Sequence, residues 1–255
     1  MAGFCPSCCG RSPVWPERLP ELEVRVVLCQ PRNPLNIGAA ARAASNFGFQ
    51  HLRVVNPYDP AFREAVSAVG GAPVLQAAEL HAEVSEAIRD CTMVVGTTAI
   101  GHRELQHPVL TLASAAPLIR ANRGPVALLF GSEKFGLSND EISYCHHLIH
   151  IPTSPRTPSM NLGQAVAVCL YELVREPSGG EATLGPKPVA GSDAEQITRM
   201  MLEVLRESGY TNRIVATSIE LKVRRFVRRI QLTARDAPLV LGILRQILWK
   251  FREKG

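Results

Sequence analysis

From residue 24 onward, short apolar or β-branched runs alternate with helical stretches, and no other feature constrains the fold as tightly. Residues 24–29, 52–55, 93–95, 126–130 and 147–151 read as strands. Residues 36–47, 61–68, 80–89, 112–121, 140–144 and 162–174 read as helices, with Gly48, Asn56-Pro57, Gly131 and Pro152 as stops. Strands that alternate with helices at this spacing predict an α/β fold, with a mostly parallel sheet covered on both faces. The 162–174 helix is apolar almost all round, so it is expected to be centrally buried.

The rest of the chain falls into three other parts. Residues 1–21 are rich in Pro, Cys and Gly, show no period, and read as a disordered lead. Residues 22–176 form the α/β domain. Residues 177–192 contain the run PSGGEATLGPKPVAG, low in large apolar residues, and read as a linker. Residues 193–255 are a helical extension with segments at 194–207, 214–230 and 238–251. In the last of these, Leu239, Ile243, Ile247 and Phe251 step by four.

Charge separates these parts. The chain carries 28 Lys and Arg against 23 Asp and Glu, a net of +5. Residues 193–255 hold 13 basic and 7 acidic residues, so the extension alone carries +6 and the other 192 residues carry −1. Segregation of this kind points to a polyanion partner. Arg224, Arg225, Arg228 and Arg229 fall at i, i+1, i+4 and i+5, which gathers them on one helix face. That face is expected to contact phosphates, the plainer alternative being a solvated surface. The seven cysteines are scattered and odd in number, which does not read as a disulfide framework. Cys5, Cys8 and Cys9 include a C-x-x-C half-site, but no second pair of ligands completes a zinc site, and no metal is expected. No signal-peptide or membrane-length apolar run is present, so the expected compartment is the cytoplasm.

The chain lacks G-x-G-x-x-G after its first strand, the P-loop pattern and HExxH, which weighs against an ordinary nucleotide-binding or zinc-protease reading. Three loops after strands stand out instead. In Pro31–Arg42, PRNPLNIGAAAR, Asn36 sits where an N-cap belongs, and Gly38 with its alanines permits close approach. Read alone, this is equally an Ala-rich core helix with a surface Arg42. In LFGSEKFGL, Gly131 and Gly136 flank Glu133 at the end of a strand, where open α/β sheets bind ligands, or where a tight turn simply exposes an acid. In IPTSPRTPSMN, Ser159 and Asn161 precede an apolar helix and would serve as caps in any case.

Taken in order, the three segments resemble the SPOUT superfamily, specifically its SpoU/TrmH class of RNA ribose 2′-O-methyltransferases. They carry N-x-G-x-x-x-R as Asn36-Ile37-Gly38-Ala39-Ala40-Ala41-Arg42, then F-G-x-E-x-x-G-L as Phe130 to Leu137. The third element is I-P followed by S-L-N, here Ile151-Pro152 and Ser159-Met160-Asn161. Met160 replaces the common Leu, a nearly volume-conserving change. The Leu52-Arg53-Val54-Val55-Asn56-Pro57 segment, the Gly96-Thr97-Thr98 loop and the helical tail are most similar to the TrmJ subfamily, whose members methylate nucleotide 32 of tRNA.

The resemblance implies a C-terminal trefoil knot, S-adenosylmethionine as cofactor, and a homodimer with the active site at its interface. It implies cofactor contacts from Thr97, Thr98, Ala99, Gly131, Ile151, Ser159, Met160 and Asn161. It implies a catalytic set of Arg42, Asn36, Glu133, Ser159 and Asn161. A guanidinium holds its proton far above neutral pH, so its neutral form is rare at pH 7. The expected role of Arg42 is therefore a cation against the forming oxyanion, with Asn36 orienting it or the RNA backbone and Glu133 pairing with it or with another cation. Methylation of ribosomal RNA, and a catalytically dead RNA-binding module, are the competing readings. The second would be favoured by loss of Arg42, Glu133 or Asn161, and all three are present.

Overall fold

A computed structural model describes residues 22–58, 73–99, 107, 109–175, 186–211 and 216–253. The expected lead at 1–21, with Cys5, Cys8 and Cys9, and the helix expected at 61–68 lie outside the described residues.

Seven strands make one sheet: β1 (Val24–Cys29), β2 (His51–Val55), β3 (Glu79–His81), β4 (Met93–Thr97), β5 (Val109–Thr111), β6 (Val126–Phe130) and β7 (His147–His150). Their order is β3-β2-β1-β6-β4-β7-β5, and every pairing is parallel. Val26 faces Leu52 on one side and Leu128 on the other, so β1 is central and all six of its residues are buried.

Period-two geometry sends alternate residues to opposite faces. Val24, Val26 and Leu28 join one core, and Val27 and Cys29 join the other. The first core is roofed by α1 (Pro34–Asn46), α2 (Pro73–Gln76), α4 (Leu112–Arg120) and α6 (Leu162–Val174). The second lies under α3 (Val84–Ala87) and α5 (Asn139–Ser143). Cys29, Cys91, Cys145 and Cys169 are buried thiols within these layers.

Helices α1 and α6 approach closely. A Cβ built on Gly163 would sit 2.5 Å from the Ala39 Cβ, so this crossing requires glycine. Helix α6 buries Leu162, Gly163, Val166, Cys169, Leu170 and Leu173, but Val168 and Tyr171 remain exposed. Its apolar circumference is therefore covered on one side only, not all round as expected.

The structure departs from the sequence reading at other points. Residues 80–89 are not one helix. Glu79–His81 pair in parallel with Arg53–Val55, and only Val84–Ala87 are helical. Edge strand β5 was not expected at all. The start of α1 is capped by Asn33, whose side chain accepts from the Leu35 N–H at 2.9 Å, with Pro34 in the first turn. Asn36 is thereby freed from capping.

The C-terminal extension contains α7 (Gly191–Glu207), α8 (Ala216–Arg229) and α9 (Asp236–Glu253) around their own apolar cluster of Ile197, Val223, Val227, Leu241 and Leu244. The described part of the expected linker does not tether this unit loosely. Gly191 N–H donates to Cys91 O and Ser192 N–H to Arg89 O, while Val189 N–H donates to Leu232 O. A Cβ on Gly191 would lie 2.4 Å from Ile88 O, which fixes the docking of α7 on the sheet domain. In α9 the buried side is Ala237, Leu241, Leu244 and Leu248, and the stripe of Leu239, Ile243, Ile247 and Phe251 is exposed. No described helix is long and apolar enough to cross a membrane.

Candidate active site

The carboxyl ends of β4, β6 and β7 open onto a cleft of about 360 Å³. That size falls within the range of small-molecule sites. It lies where strand order departs from chain order, since β6 is inserted between β1 and β4 and β7 between β4 and β5. Thr97, Thr98 and Ala99 enter from the end of β4, and Gly131 and Glu133 from the end of β6. Ile151, Ser159 and Met160 enter from the loop after β7. Phe130, Ile149 and Leu162 supply apolar wall that the motifs did not single out. The Thr97 hydroxyl donates to Leu129 O at 3.0 Å and Thr98 N–H to Ile149 O at 2.9 Å, so the rim is tied to the neighbouring strands.

The loop after β6 is pinned. Ser132 and Gly136 bridge each other, with Gly136 N–H donating to Ser132 O at 2.8 Å and Gly136 at φ +67°, a left-handed value natural to glycine. A Cβ on Gly131 would lie 2.0 Å from the Gly136 carbonyl carbon and 2.1 Å from Leu137 N. Both are backbone atoms, so the whole turn would have to move. Gly131→Ala is therefore expected to cost about 1–3 kcal/mol of stability by overpacking. Chemical denaturation checks this, and a change within about 0.5 kcal/mol would show that the turn yields freely.

Three of the expected catalytic residues meet in one hydrogen-bonded chain. The Glu133 carboxylate accepts from Asn36 Nδ2 at 3.1 Å, from Asn33 N–H at 3.1 Å and from Arg32 N–H at 3.2 Å. Asn36 Oδ1 accepts from Asn161 Nδ2 at 2.7 Å. Asn161 Oδ1 in turn accepts from Gly163 and Gln164 N–H, capping α6. The loops after β1, β6 and β7 are thus locked together by side-chain amides whose orientation the network dictates. Partial burial pushes the Glu133 carboxyl up, but the bonds from Asn36 and the Arg32 and Asn33 amides outweigh it and hold it below the usual carboxylate range. Glu133 thus anchors the 32–36 segment through two backbone amides and the Asn36 side chain.

Several expected roles change as a result. Within one chain Glu133 makes no bond to Arg42, and its donors are Asn36 Nδ2 and the Arg32 and Asn33 N–H groups. Asn161 does not line the cleft, since its side chain serves the cap and Asn36. Arg42 is exposed on α1, makes no hydrogen bond or ion pair with a described residue, and is absent from the cleft wall.

In the extension, two of the four arginines expected to contact RNA are structural. Arg228 is 1% exposed and its Nη2 donates to Glu195 at 2.8 Å. Burial pulls its guanidinium below the ordinary value despite the charge of Glu195. Arg224 is buried over the Tyr144 ring at 4.4 Å and bonds Glu220, Ser143, Glu195 and Asp140. Neither can reach a phosphate without unpicking this cluster. Arg229 is exposed and Arg225 half-buried. Among the described residues no group of His, Cys, Asp and Glu could hold a metal ion.

Residues 23–171 match the sequence pattern of the SpoU rRNA methylase family. The chain belongs to the SpoU rRNA methylase family. Its similarity to individual relatives runs beyond that segment. The tRNA (cytidine/uridine-2′-O-)-methyltransferase TrmJ of Yersinia pestis (strain Pestoides F) is 32% identical over 235 residues, spanning 88% of this chain and 91% of its own length. TrmJ of Cronobacter sakazakii is 30% identical over 243 residues, 91% of this chain and 98% of its own. Among solved structures, TrmJ from Z. mobilis ZM4 superposes with a TM-score of 0.78 at 31% identity, covering 88% of this chain and 98% of that one. All three pairs of coverages exceed what the SpoU methylase segment alone would give, so the helical extension shares in the likeness.

Proposed function

We propose that this chain transfers a methyl group from S-adenosylmethionine to a ribose 2′-oxygen of tRNA in the cytoplasm, at cytidine or uridine 32 of the anticodon loop. The observation that carries the reading is the cleft at the ends of β4, β6 and β7, joined to Asn36 and Asn161 through Glu133. Likeness to TrmJ along both the sheet domain and the extension supports tRNA over ribosomal RNA as substrate.

The cleft fits the cofactor. Phe130, Ile149, Ile151 and Leu162 offer apolar wall to an adenine, and the loops at 97–99 and 158–160 offer backbone groups to its polar edges and to a ribose. Thr97, Thr98, Ala99, Gly131, Ile151, Ser159 and Met160 would hold it. When bound, S-adenosylmethionine supplies an electrophilic methyl on a sulfonium whose charge disappears on transfer.

The chain's own residues must then bring a ribose hydroxyl into line and stabilise the alkoxide it becomes. Placement in a near-attack geometry contributes roughly 7–11 kcal/mol in favourable cases. Arg42 acts as the cation at the adjacent phosphate and the developing oxyanion, with the proton leaving to solvent or phosphate. Asn36 and Glu133 hold the 31–36 segment that leads into the Arg42 helix, and Asn161 fixes the start of α6.

Because Arg42 lies outside the cleft of its own chain, the reading includes a homodimer in which a second copy completes the site. Ala40, Ala41, Ala43 and Ala44 are spent in the core of this chain, so such a contact would fall on the exposed Leu35 and Ala39 of α1 and the exposed Val168 and Tyr171 of α6. The trefoil threading of the chain belongs to the same proposal. In the extension, exposed Arg229 would face RNA, with half-buried Arg225 beside it on the same helix.

Titration calorimetry with S-adenosylmethionine, with and without a chelator, tests the cofactor assignment. Binding is expected in both conditions. No binding, or binding only with a divalent ion, would contradict it.

A further inference from the structure

Helix α8 has two unlike sides. Val223, Arg224, Val227 and Arg228 are buried, while Lys222, Phe226, Arg229 and Ile230 are exposed. The exposed residues fall at i, i+4, i+7 and i+8, so they share one side of the helix. Phe226 and Ile230 each keep 42% of their surface in solvent. Past the end of the helix the Ala234 N–H donates to Lys187 O at 2.9 Å and Pro188 bridges Thr233, which brings the exposed Lys187 and Arg235 close to the same end. Lys187, Lys222, Arg229 and Arg235 make no ion pair with a described residue. The acids nearest to them in sequence are engaged elsewhere: Glu220 accepts from Arg224 at 2.8 Å, and Asp236 accepts from the Thr233 hydroxyl at 2.7 Å. An apolar ring thus stands among positive charges that no described carboxylate neutralises.

We propose that this exposed side of α8 holds an unpaired stretch of tRNA, with Phe226 stacked on a base and Lys222 and Arg229 on the flanking phosphates. The inference rests on the tRNA reading above and moves the main contact to the side of the helix opposite Arg224 and Arg228. A polynucleotide offers π-faces that alternate with negative charges, which matches a ring set between two cations. A second copy of this chain fits less well. In a two-fold contact this surface would meet itself, and Lys222 and Arg229 of both copies would come together with no carboxylate of the surface between them. The surface also lies away from those left for a second copy. Helix α8 packs through Arg224 on Asp140 and Ser143 of α5, which covers the opposite side of the sheet from α1 and α6. Two apolar side chains are too few to seat a helix in a lipid surface.

The test measures the affinity of the full-length protein for unfractionated tRNA over a series of salt concentrations. The variants are the double change Lys222→Ala with Arg229→Ala, and the single changes Phe226→Ala, Phe226→Leu and Phe226→Tyr. Charge and ring should leave different marks. The double variant should flatten the slope of log affinity against log salt by roughly 0.7 for each charge removed. Stacking requires a flat π-face, so Phe226→Ala and Phe226→Leu should weaken binding roughly tenfold at every salt concentration with the slope unchanged, and Phe226→Tyr should stay within about twofold of wild type. The affinity for S-adenosylmethionine and the sedimentation coefficient should not change in any variant. An unchanged slope in the double variant overturns the proposal. So does a Leu variant that binds like wild type, which would mark a general apolar contact. A shifted sedimentation coefficient would assign the surface to a second copy, and lost binding to vesicles of anionic phospholipid with tRNA affinity intact would assign it to a lipid surface. If wild-type protein binds no tRNA, the tRNA reading itself falls, a result distinct from wild-type binding that all the variants match.

Discussion

Arg42→Ala should lower kcat by at least about a hundredfold while leaving S-adenosylmethionine affinity within about twofold. Arg42 is a solvent-exposed cation on α1, no described carboxylate neutralises it, and it does not touch the cleft of its own chain. It is therefore free to meet the RNA phosphate and the oxygen that becomes negative on methyl transfer. Removing one pre-aimed donor from such an oxyanion typically costs about 2.7–4 kcal/mol of transition-state stabilisation. Because that interaction forms only as charge develops, the loss belongs in kcat. Single-turnover methylation alongside calorimetry separates the two quantities. A variant that keeps more than about a tenth of wild-type kcat has lost under roughly 1.4 kcal/mol, too little for the main oxyanion stabiliser.

Glu195→Ala should be the most destabilising single change in the extension. Glu195 Oε1 accepts from Arg228 at 2.8 Å and Oε2 from Arg224 at 3.4 Å, and both guanidiniums are buried. Its removal leaves Arg228 as an almost wholly buried cation with no carboxylate. Breaking a buried pair in this way costs about 3–5 kcal/mol, mostly as the uncompensated charge. At roughly 2–4 °C per kcal/mol for a domain of this size, Tm should fall by roughly 6–20 °C. The contrast is Asp140→Asn, where the carboxylate is 66% exposed and the bond to Arg224 is long at 3.4 Å. That change should cost under about 1 kcal/mol. Near-equal Tm values for the two variants would show that the cluster is solvated in solution, and the phosphate role expected for Arg224 and Arg228 would reopen.

That pair of arginines shows where sequence reasoning lost information. Spacing at i, i+1, i+4 and i+5 groups the four side chains on one face, but the structure buries Arg224 and Arg228 and leaves Arg229 exposed, because charge counting cannot see the acids that arrive from elsewhere. Glu195 lies 33 residues from Arg228, and Asp140 lies 84 residues from Arg224. Long-range compensation of this kind has no local signature.

The same limit explains the missed strands. β3 and β5 are three residues long at the two edges of the sheet, too short for a period to register. In contrast, helix 162–174 was read with its observed bounds, because a sustained apolar run ends at a polar cap on one side. The central strands were equally legible, since burial on both faces demands unbroken apolar sequence. In α9, step-four spacing named a stripe that turned out to be the exposed one, because several rows of that helix are apolar and periodicity alone cannot choose among them.

At the site, motif residues were found but not their partners. Asn36, Glu133 and Asn161 were each picked out, yet the bond from Asn36 to Glu133 spans 97 residues and that to Asn161 spans 125. Only the folded chain reveals that they hold three loops to one another, and that Asn33, not Asn36, caps α1.

The most direct test of the central claim is to incubate the purified chain with methyl-labelled S-adenosylmethionine and unfractionated tRNA, in parallel with ribosomal RNA. The products are then digested to nucleosides and the label is located. Label is expected in tRNA, on the ribose of cytidine or uridine as a 2′-O-methyl group, and is expected to form at least about a hundredfold more slowly in a parallel reaction with Arg42→Ala. Label on a base, label in ribosomal RNA alone, or no transfer to either RNA would contradict it.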